Sequence, residues 1–195
     1  TSLPFPDDHF DLVTVAQAFH WFANKQTLSE IHRVLKKDGL GTLALIWNLE
    51  SASIEWMKDL RALYEPYDAD VPQYRKREWE QAFIHDSHTH DDELTKSKFQ
   101  YPLYKKMFQT EMLVTQENMM DRVESKSYIT ALHGDELNNL KKNMQHLLYE
   151  KYSDAFHIAP DVAASGGSGD AGDFLLARNL LDVELVMTKT TKTSS

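Results

Sequence analysis

Two short apolar runs on either side of one amphipathic segment constrain this chain more than any other feature. Phe10-Asp11-Leu12-Val13-Thr14-Val15-Ala16 and Thr42-Leu43-Ala44-Leu45-Ile46-Trp47 are aliphatic and β-branched almost throughout. That composition belongs to strands covered on both faces, not to strands with one wet face. Between them a helix is predicted from about Asn24, with Leu28, Ile31 and Leu35 three and four residues apart on one side. Lys36 and Lys37 suit the negative end of its dipole, and Gly39 is placed as a left-handed cap. Strand, helix and strand in this order make a βαβ unit, so the two strands are expected side by side and parallel. The fold class that follows is α/β.

Upstream, Leu3-Pro4-Phe5-Pro6-Asp7-Asp8-His9 reads as a turn, because proline fixes φ and Asp offers local hydrogen bonds. Downstream the pattern is mostly helical. An amphipathic stretch covers Ser53 to Tyr64, and a second covers Arg75 to Phe83. A strand is expected within Phe99 to Phe108. Thr115 suits the N-cap of a helix running to Val123, and Asp135 to Tyr152 reads as a long helix. Near the end, Leu181, Val183, Leu185 and Met187 alternate with Asp182, Glu184, Val186 and Thr188, a period-two pattern that predicts a strand. Met119, Met120 and Met144 fit apolar packing, either in a lid or as core fillers.

Charge and residue usage narrow the classes of function. The net charge of -9 disfavours nucleic acid and anionic membrane surfaces, which are bound by clustered Lys and Arg. There is no cysteine, so disulfides, thiolate metal sites and a catalytic thiol are excluded. Apolar residues make up 42% of the chain, enough for a packed core. No apolar run reaches the length of a membrane span, and the opening residues lack a signal peptide's pattern. The expectation is a soluble cytoplasmic protein that binds neither nucleic acid nor membrane.

The stretch from Leu3 to Phe22, LPFPDDHFDLVTVAQAFHWF, resembles a signature of class I S-adenosylmethionine-dependent methyltransferases of the type 11 group. It is most similar to the trans-aconitate methyltransferase-like branch. Glu30-Ile31-His32-Arg33-Val34-Leu35-Lys36-Lys37-Asp38-Gly39 resembles that family's E-x-x-R-V-L-K-P-G-G, with Lys37 and Asp38 standing where Pro and the first Gly are usual. Ser125-Lys126-Ser127-Tyr128-Ile129 is similar to a segment of that branch's substrate lid.

The resemblance implies the C-terminal part of a Rossmann-like methyltransferase sheet with a helical lid insertion. Residues 1–50 would be the second half of the core, 51–160 a helical lid and substrate region, and 161–195 a flexible loop followed by a core strand. The family's glycine-rich loop and its ribose-binding acidic residue have no counterpart here. The resemblance therefore implies an N-terminally truncated form, with a complementing N-terminal fragment as a candidate partner. S-adenosylmethionine is the implied cofactor, with Gln17, His20 and Trp21 at its reactive end. Trp47, Asn48, Trp79, Ser127 and Tyr128 are the implied substrate contacts, with Arg77 nearby.

The implied reaction is methyl transfer to a small molecule, with a carboxylic acid as the expected acceptor. A carboxylate is already ionised at neutral pH and requires no base; for a hydroxyl acceptor His20 could serve as one. The alternative is a catalytically inactive relative that acts through protein binding.

Two further motifs carry weaker readings. His85-Asp86-Ser87-His88-Thr89-His90-Asp91-Asp92 has metal-ligand chemistry, but its surroundings supply no obvious further ligand and a solvated loop is expected. Gly167-Ser168-Gly169-Asp170-Ala171-Gly172 matches G-x-G-x-x-G letter for letter. No strand precedes it, so a flexible loop is expected there and no cofactor loop.

Overall fold

The computed structural model describes residues 2–68, 74–84, 98–156 and 176–191. The histidine-rich segment 85–92 and the glycine-rich segment 167–172 lie outside the described residues. Four strands, β1 (Leu12–Ala16), β2 (Thr42–Glu50), β3 (Tyr104–Thr115) and β4 (Leu176–Lys189), form one sheet in the order β1-β2-β4-β3. The principal helices are α1 (Lys25–Val34), α2 (Glu55–Tyr64), α3 (Gln116–Glu124) and α4 (Gly134–Gln145). β1 and β2 pair in parallel, from Leu12 opposite Thr42 to Ala16 opposite Ile46, which is the βαβ unit read from the sequence, but only β2 is covered as expected: β1 has no buried residue and Leu12 is 52% exposed.

The chain divides into two compact units. One comprises 1–48, 72–108 and 183–195, the other 49–71 and 109–182.

In the first unit, α1 starts where its cap requires. The Asn24 Oδ1 accepts a hydrogen bond from the Thr27 backbone N–H at 2.8 Å. Leu28, Ile31, His32 and Val34 face inward. The helix ends one turn earlier than its charge pattern suggested, with Leu35 extended as its C-cap. Gly39 does adopt a left-handed φ of 82°, but in the turn beyond the helix, so it is not the helix cap itself. Gly41 is required for space, since a Cβ there would lie 2.2 Å from the Lys36 carbonyl oxygen.

The two motifs at Leu3–His9 and Glu30–Arg33 prove to be one structure. Arg33 donates to the carbonyls of Phe5 (2.8 Å) and Leu3 (3.2 Å) and to the Asp7 carboxylate (2.7 Å). Glu30 clamps the same guanidinium at 2.6 and 2.9 Å and accepts from the Leu3 N–H at 2.7 Å. Arg33, with the Leu3 N–H second, holds the Glu30 carboxyl at about 2.

Leu181 is buried, but beyond it β4 buries its even-numbered residues. Glu184, Val186, Thr188 and Thr190 are buried, while Val183, Leu185 and Met187 are only half-buried. These odd-numbered residues are still partly buried, so neither face is fully wet and alternation of polarity does not decide which face is inward. Of the buried polar groups the threonines are hydrogen-bonded, while Glu184 Oε2 has no hydrogen-bond partner among the described residues and only an ion pair to Arg77. Thr188 Oγ1 donates to the Gln100 carbonyl at 2.7 Å and Thr190 Oγ1 to the Lys36 carbonyl at 2.8 Å. Arg77 reaches both Glu184 oxygens at 3.1 Å. Residues 74–83, expected as a helix, form two 3-10 turns, Tyr74–Lys76 and Glu78–Phe83, with Arg77 between them at φ 60°.

The second unit is built around Trp56, Met57 and Leu60 of α2, Met119 and Val123 of α3, and Leu140 and Met144 of α4. Met119 and Met144 are thus core residues with no exposure, and Met120 packs partly buried against them. Thr115 caps α3, its side chain accepting from the Asn118 N–H at 3.0 Å. The long helix anticipated at 135–152 is α-helical to Gln145 and continues as one π-turn, His146–Lys151. The strand anticipated within 99–108 begins at Tyr104 and runs on to Thr115.

Candidate functional site

The site grows from the carboxyl end of β1, where open α/β sheets bind ligands. β1 stops at Ala16, and Gln17 turns into a left-handed φ of 56°. Its N–H still reaches the Ile46 carbonyl at 2.8 Å, and its side-chain amide donates to the Asn48 carbonyl at 3.1 Å. Gln17 and Asn48 are thereby bonded to each other across the strand ends. The chain then enters a 3-10 turn, Phe19–Trp21, anchored by the fully buried Phe19. Its ring lies 5.7 Å from Phe83, 5.7 Å from Phe22 and 6.3 Å from Trp79.

Pinning Phe19 inward turns its two neighbours outward. Trp21 is 46% exposed and Phe22 39%. His20 is half-buried between them and β2. The Trp47 indole N–H donates to its Nδ1 at 3.1 Å, and its ring lies 5.4 Å from Trp21. Trp47 is 1% exposed and packs on Trp79 at 4.7 Å. Burial lowers the pKa of His20.

These residues enclose a pocket of about 240 Å³, lined by His20, Trp21, Phe22, Ala23, Asn24, Glu78 and Trp79. A larger cleft of about 520 Å³ lies beside it over Val13 and Val15 of β1 and Thr27 and Ile31 of α1, and shares Phe22 and Asn24.

Of the residues anticipated from sequence, His20, Trp21 and Trp79 line the smaller pocket. Trp47 supports it from behind, and Gln17 and Asn48 brace the strand ends. Arg77 does not line the pocket: it pairs with Glu80 and Glu184. Ser127 and Tyr128 belong to the second unit, in the turn after α3. Tyr128 is half-buried against that unit's core and Ser127 is exposed.

Sequence reasoning did not assign Phe22, Ala23, Asn24 or Glu78 to the lining. Asn24 was visible as a cap, and its place in the lining follows from that, because the cap stands where the pocket loop enters α1. Nothing local marks Glu78.

The second unit holds one charged constellation. Glu50, almost buried, accepts from Arg122 Nε at 2.7 Å, from the Tyr64 hydroxyl at 3.0 Å and from Lys126 Nζ at 3.3 Å. Burial alone would raise the Glu50 carboxyl, but Lys126 and Arg122 bring it down to about 2. Burial, with Glu50 beside it, pushes the Tyr64 phenol up. This arrangement sets α3 and the turn carrying Ser127 and Tyr128 against the end of β2. Among the described residues no group of three or more His, Asp or Glu could hold a metal ion. None of the described helices is long and apolar enough to cross a membrane.

Residues 1–43 match the methyltransferase domain family. An uncharacterized methyltransferase-like protein of Schizosaccharomyces pombe is 37% identical over 82 residues, which is 42% of this chain and 31% of that protein. An uncharacterized methyltransferase of the same yeast is 47% identical over 64 residues, covering 33% of this chain and 25% of its own length. The matched stretches thus span about a third of these relatives or less. A solved structure from Anaeromyxobacter dehalogenans, provisionally assigned to the type II methyltransferases, superposes on 97% of this chain and 68% of its own with a TM-score of 0.56 at 14% identity. Residues 1–43 are therefore similar in sequence to part of a methyltransferase domain, and the chain shares its α/β fold with a solved structure described as a methyltransferase.

Proposed function

We propose that this chain carries the reaction pocket of an S-adenosylmethionine-dependent methyltransferase acting on a small molecule, with a carboxylic acid as the methyl acceptor. One observation carries the reading. The stretch that matches a methyltransferase domain, residues 1–43, is the same β1–loop–α1 segment that supplies His20, Trp21, Phe22, Ala23 and Asn24 to the pocket.

The lining fits the cofactor. Trp21, Phe22 and Trp79 offer aromatic faces and Glu78 a carboxylate, the combination that holds an onium cation. When bound, S-adenosylmethionine supplies a methyl group already activated on its sulfonium. What remains for the protein is to orient the acceptor and exclude water, and alignment of this kind is worth roughly 7–11 kcal/mol of barrier. Trp47 and Phe19 hold the pocket loop in place from behind.

The test is calorimetric titration of S-adenosylmethionine into the 195-residue chain, with circular dichroism confirming its fold. Saturable binding, weakened in Trp21→Ala and Glu78→Gln, is the expected result. No binding by a folded chain would refute the reading and leave protein binding as the role of this fold.

A further inference from the structure

Folded chains blunt the edge strands of their sheets, because a row of unpaired N–H and C=O groups pairs readily with another chain. β3 is an edge of this sheet, with no strand beyond it among the described residues. It is not blunted. It runs for twelve residues, contains no proline, and exposes the first ten of them. Five of those ten are large and apolar: Tyr104, Met107, Phe108, Met112 and Leu113 are 41–55% exposed.

Strand period sorts these side chains onto two faces. Tyr104, Lys106, Phe108, Thr110 and Met112 share one, and the Lys106 ammonium lies 4.8 Å over the Phe108 ring. Lys105, Met107, Gln109, Glu111 and Leu113 share the other, where Lys105 donates to Glu80 at 2.7 Å. A lysine ammonium has three donors, so Lys105 keeps two for a further acceptor.

This strand is complementary to itself. When two copies pair antiparallel about a two-fold axis normal to the sheet, each face stays on its own side, so residues of equal parity oppose each other. Centred on Phe108, that pairing sets Lys105 of each copy against Glu111 of the other. Centred on Met107 or Gln109, it would set Lys105 against Gln109 or Leu113 instead. The Phe108 register also brings Tyr104 against Met112, an aromatic and a thioether, and Phe108 against its own copy. Lys106 meets Thr110, whose hydroxyl can accept from it. No like charges are opposed.

We propose that β3 is the interface of a homodimer, in which the β3 strands of two copies pair antiparallel about Phe108 and join their sheets. A second copy is the occupant these charges select, since every copy carries Glu111 six positions after Lys105. The chain's net charge of -9 sets most of its surface against self-association. β3, with two lysines and one glutamate, carries none of that excess. The interface is independent of the methyltransferase reading.

Sedimentation equilibrium of the whole chain at rising concentration tests this, and a dimer of twice the chain mass is expected. Phe108→Lys, which opposes two cations at the axis, should give a monomer. Circular dichroism should show that variant folded, because Phe108 is exposed. Glu111→Lys should weaken the dimer about tenfold, since both symmetry-related pairs turn repulsive, and high salt should narrow the gap.

The chain has no cysteine, so single cysteines report the register. Phe108→Cys should be joined to its own copy by a short thiol-to-thiol cross-linker. Tyr104→Cys, about 27 Å from its own copy along the strands, should not be, yet should link to Met112→Cys when the two variants are mixed. A monomer at every concentration would overturn the proposal and leave the edge to a strand of another protein. A dimer indifferent to Phe108→Lys, or one cross-linked at Tyr104→Cys and not at Phe108→Cys, would also overturn it.

Discussion

Replacing Glu50 by Gln tests whether the charged constellation in the second unit holds that unit together. The Glu50 side chain is 5% exposed and faces Arg122, Lys126 and the Tyr64 hydroxyl. Its carboxyl titrates at about 2 in the folded chain, against an ordinary value of 4.5. The folded value lies below the unfolded one, so the folded state is stabilised by the ionised form. That contribution is complete above about 4.5 and disappears as pH falls through about 2. At 1.36 kcal/mol per pH unit it amounts to about 3 kcal/mol.

Glu50→Gln removes the charge and leaves two cations facing an amide, so a loss of about 3 kcal/mol is expected at pH 7. Urea unfolding of both proteins at pH 7, and in steps towards pH 3, measures this. The wild type should lose stability steeply below pH 4.5, the variant less so, and the gap between them should narrow with acid. A loss under about 1 kcal/mol at pH 7, or a gap that stays constant on acidification, would refute the reasoning. It would mean that the cost of desolvating the ions cancels their attraction.

Two other outcomes are expected from unit 1. Phe19→Ala should cost roughly 3–5 kcal/mol, because a fully buried ring is removed from between Phe83, Trp79 and Phe22. Thermal unfolding reads this, and a melting temperature within a degree or two of wild type would show that Phe19 does not anchor the pocket loop. His32 is buried edge-on against Phe99, and burial, helped by Lys98 and Lys37, lowers it from 6.5 to about 4. The unfolded chain therefore takes up the proton first, so stability declines as pH falls from about 6.5 to about 4 and levels off below. His32→Phe should abolish that part of the decline, and a His32 ring titrating near 6.5 by proton NMR would overturn the prediction.

Local pattern was sufficient for everything that depends on neighbours within a few residues. The βαβ unit, the Asn24 and Thr115 caps and the α1 face were all readable, because strand period, helix period and capping act over one to four positions. The inward face of β4 was not. With both faces of the strand partly covered the side-chain pattern loses its contrast, and the buried Glu184 meets Arg77, 107 positions away. The helix expected at 75–83 became 3-10 turns for a related reason. Trp79 and Phe83 pack on Phe19 and Trp47, and those contacts outweigh helical propensity. The sequence by itself determined that His20 follows a buried strand. Only tertiary structure brought Trp47, 27 positions on, to its Nδ1 and so settled which of its two nitrogens can donate, since a hydrogen bond between distant residues leaves no local trace in either.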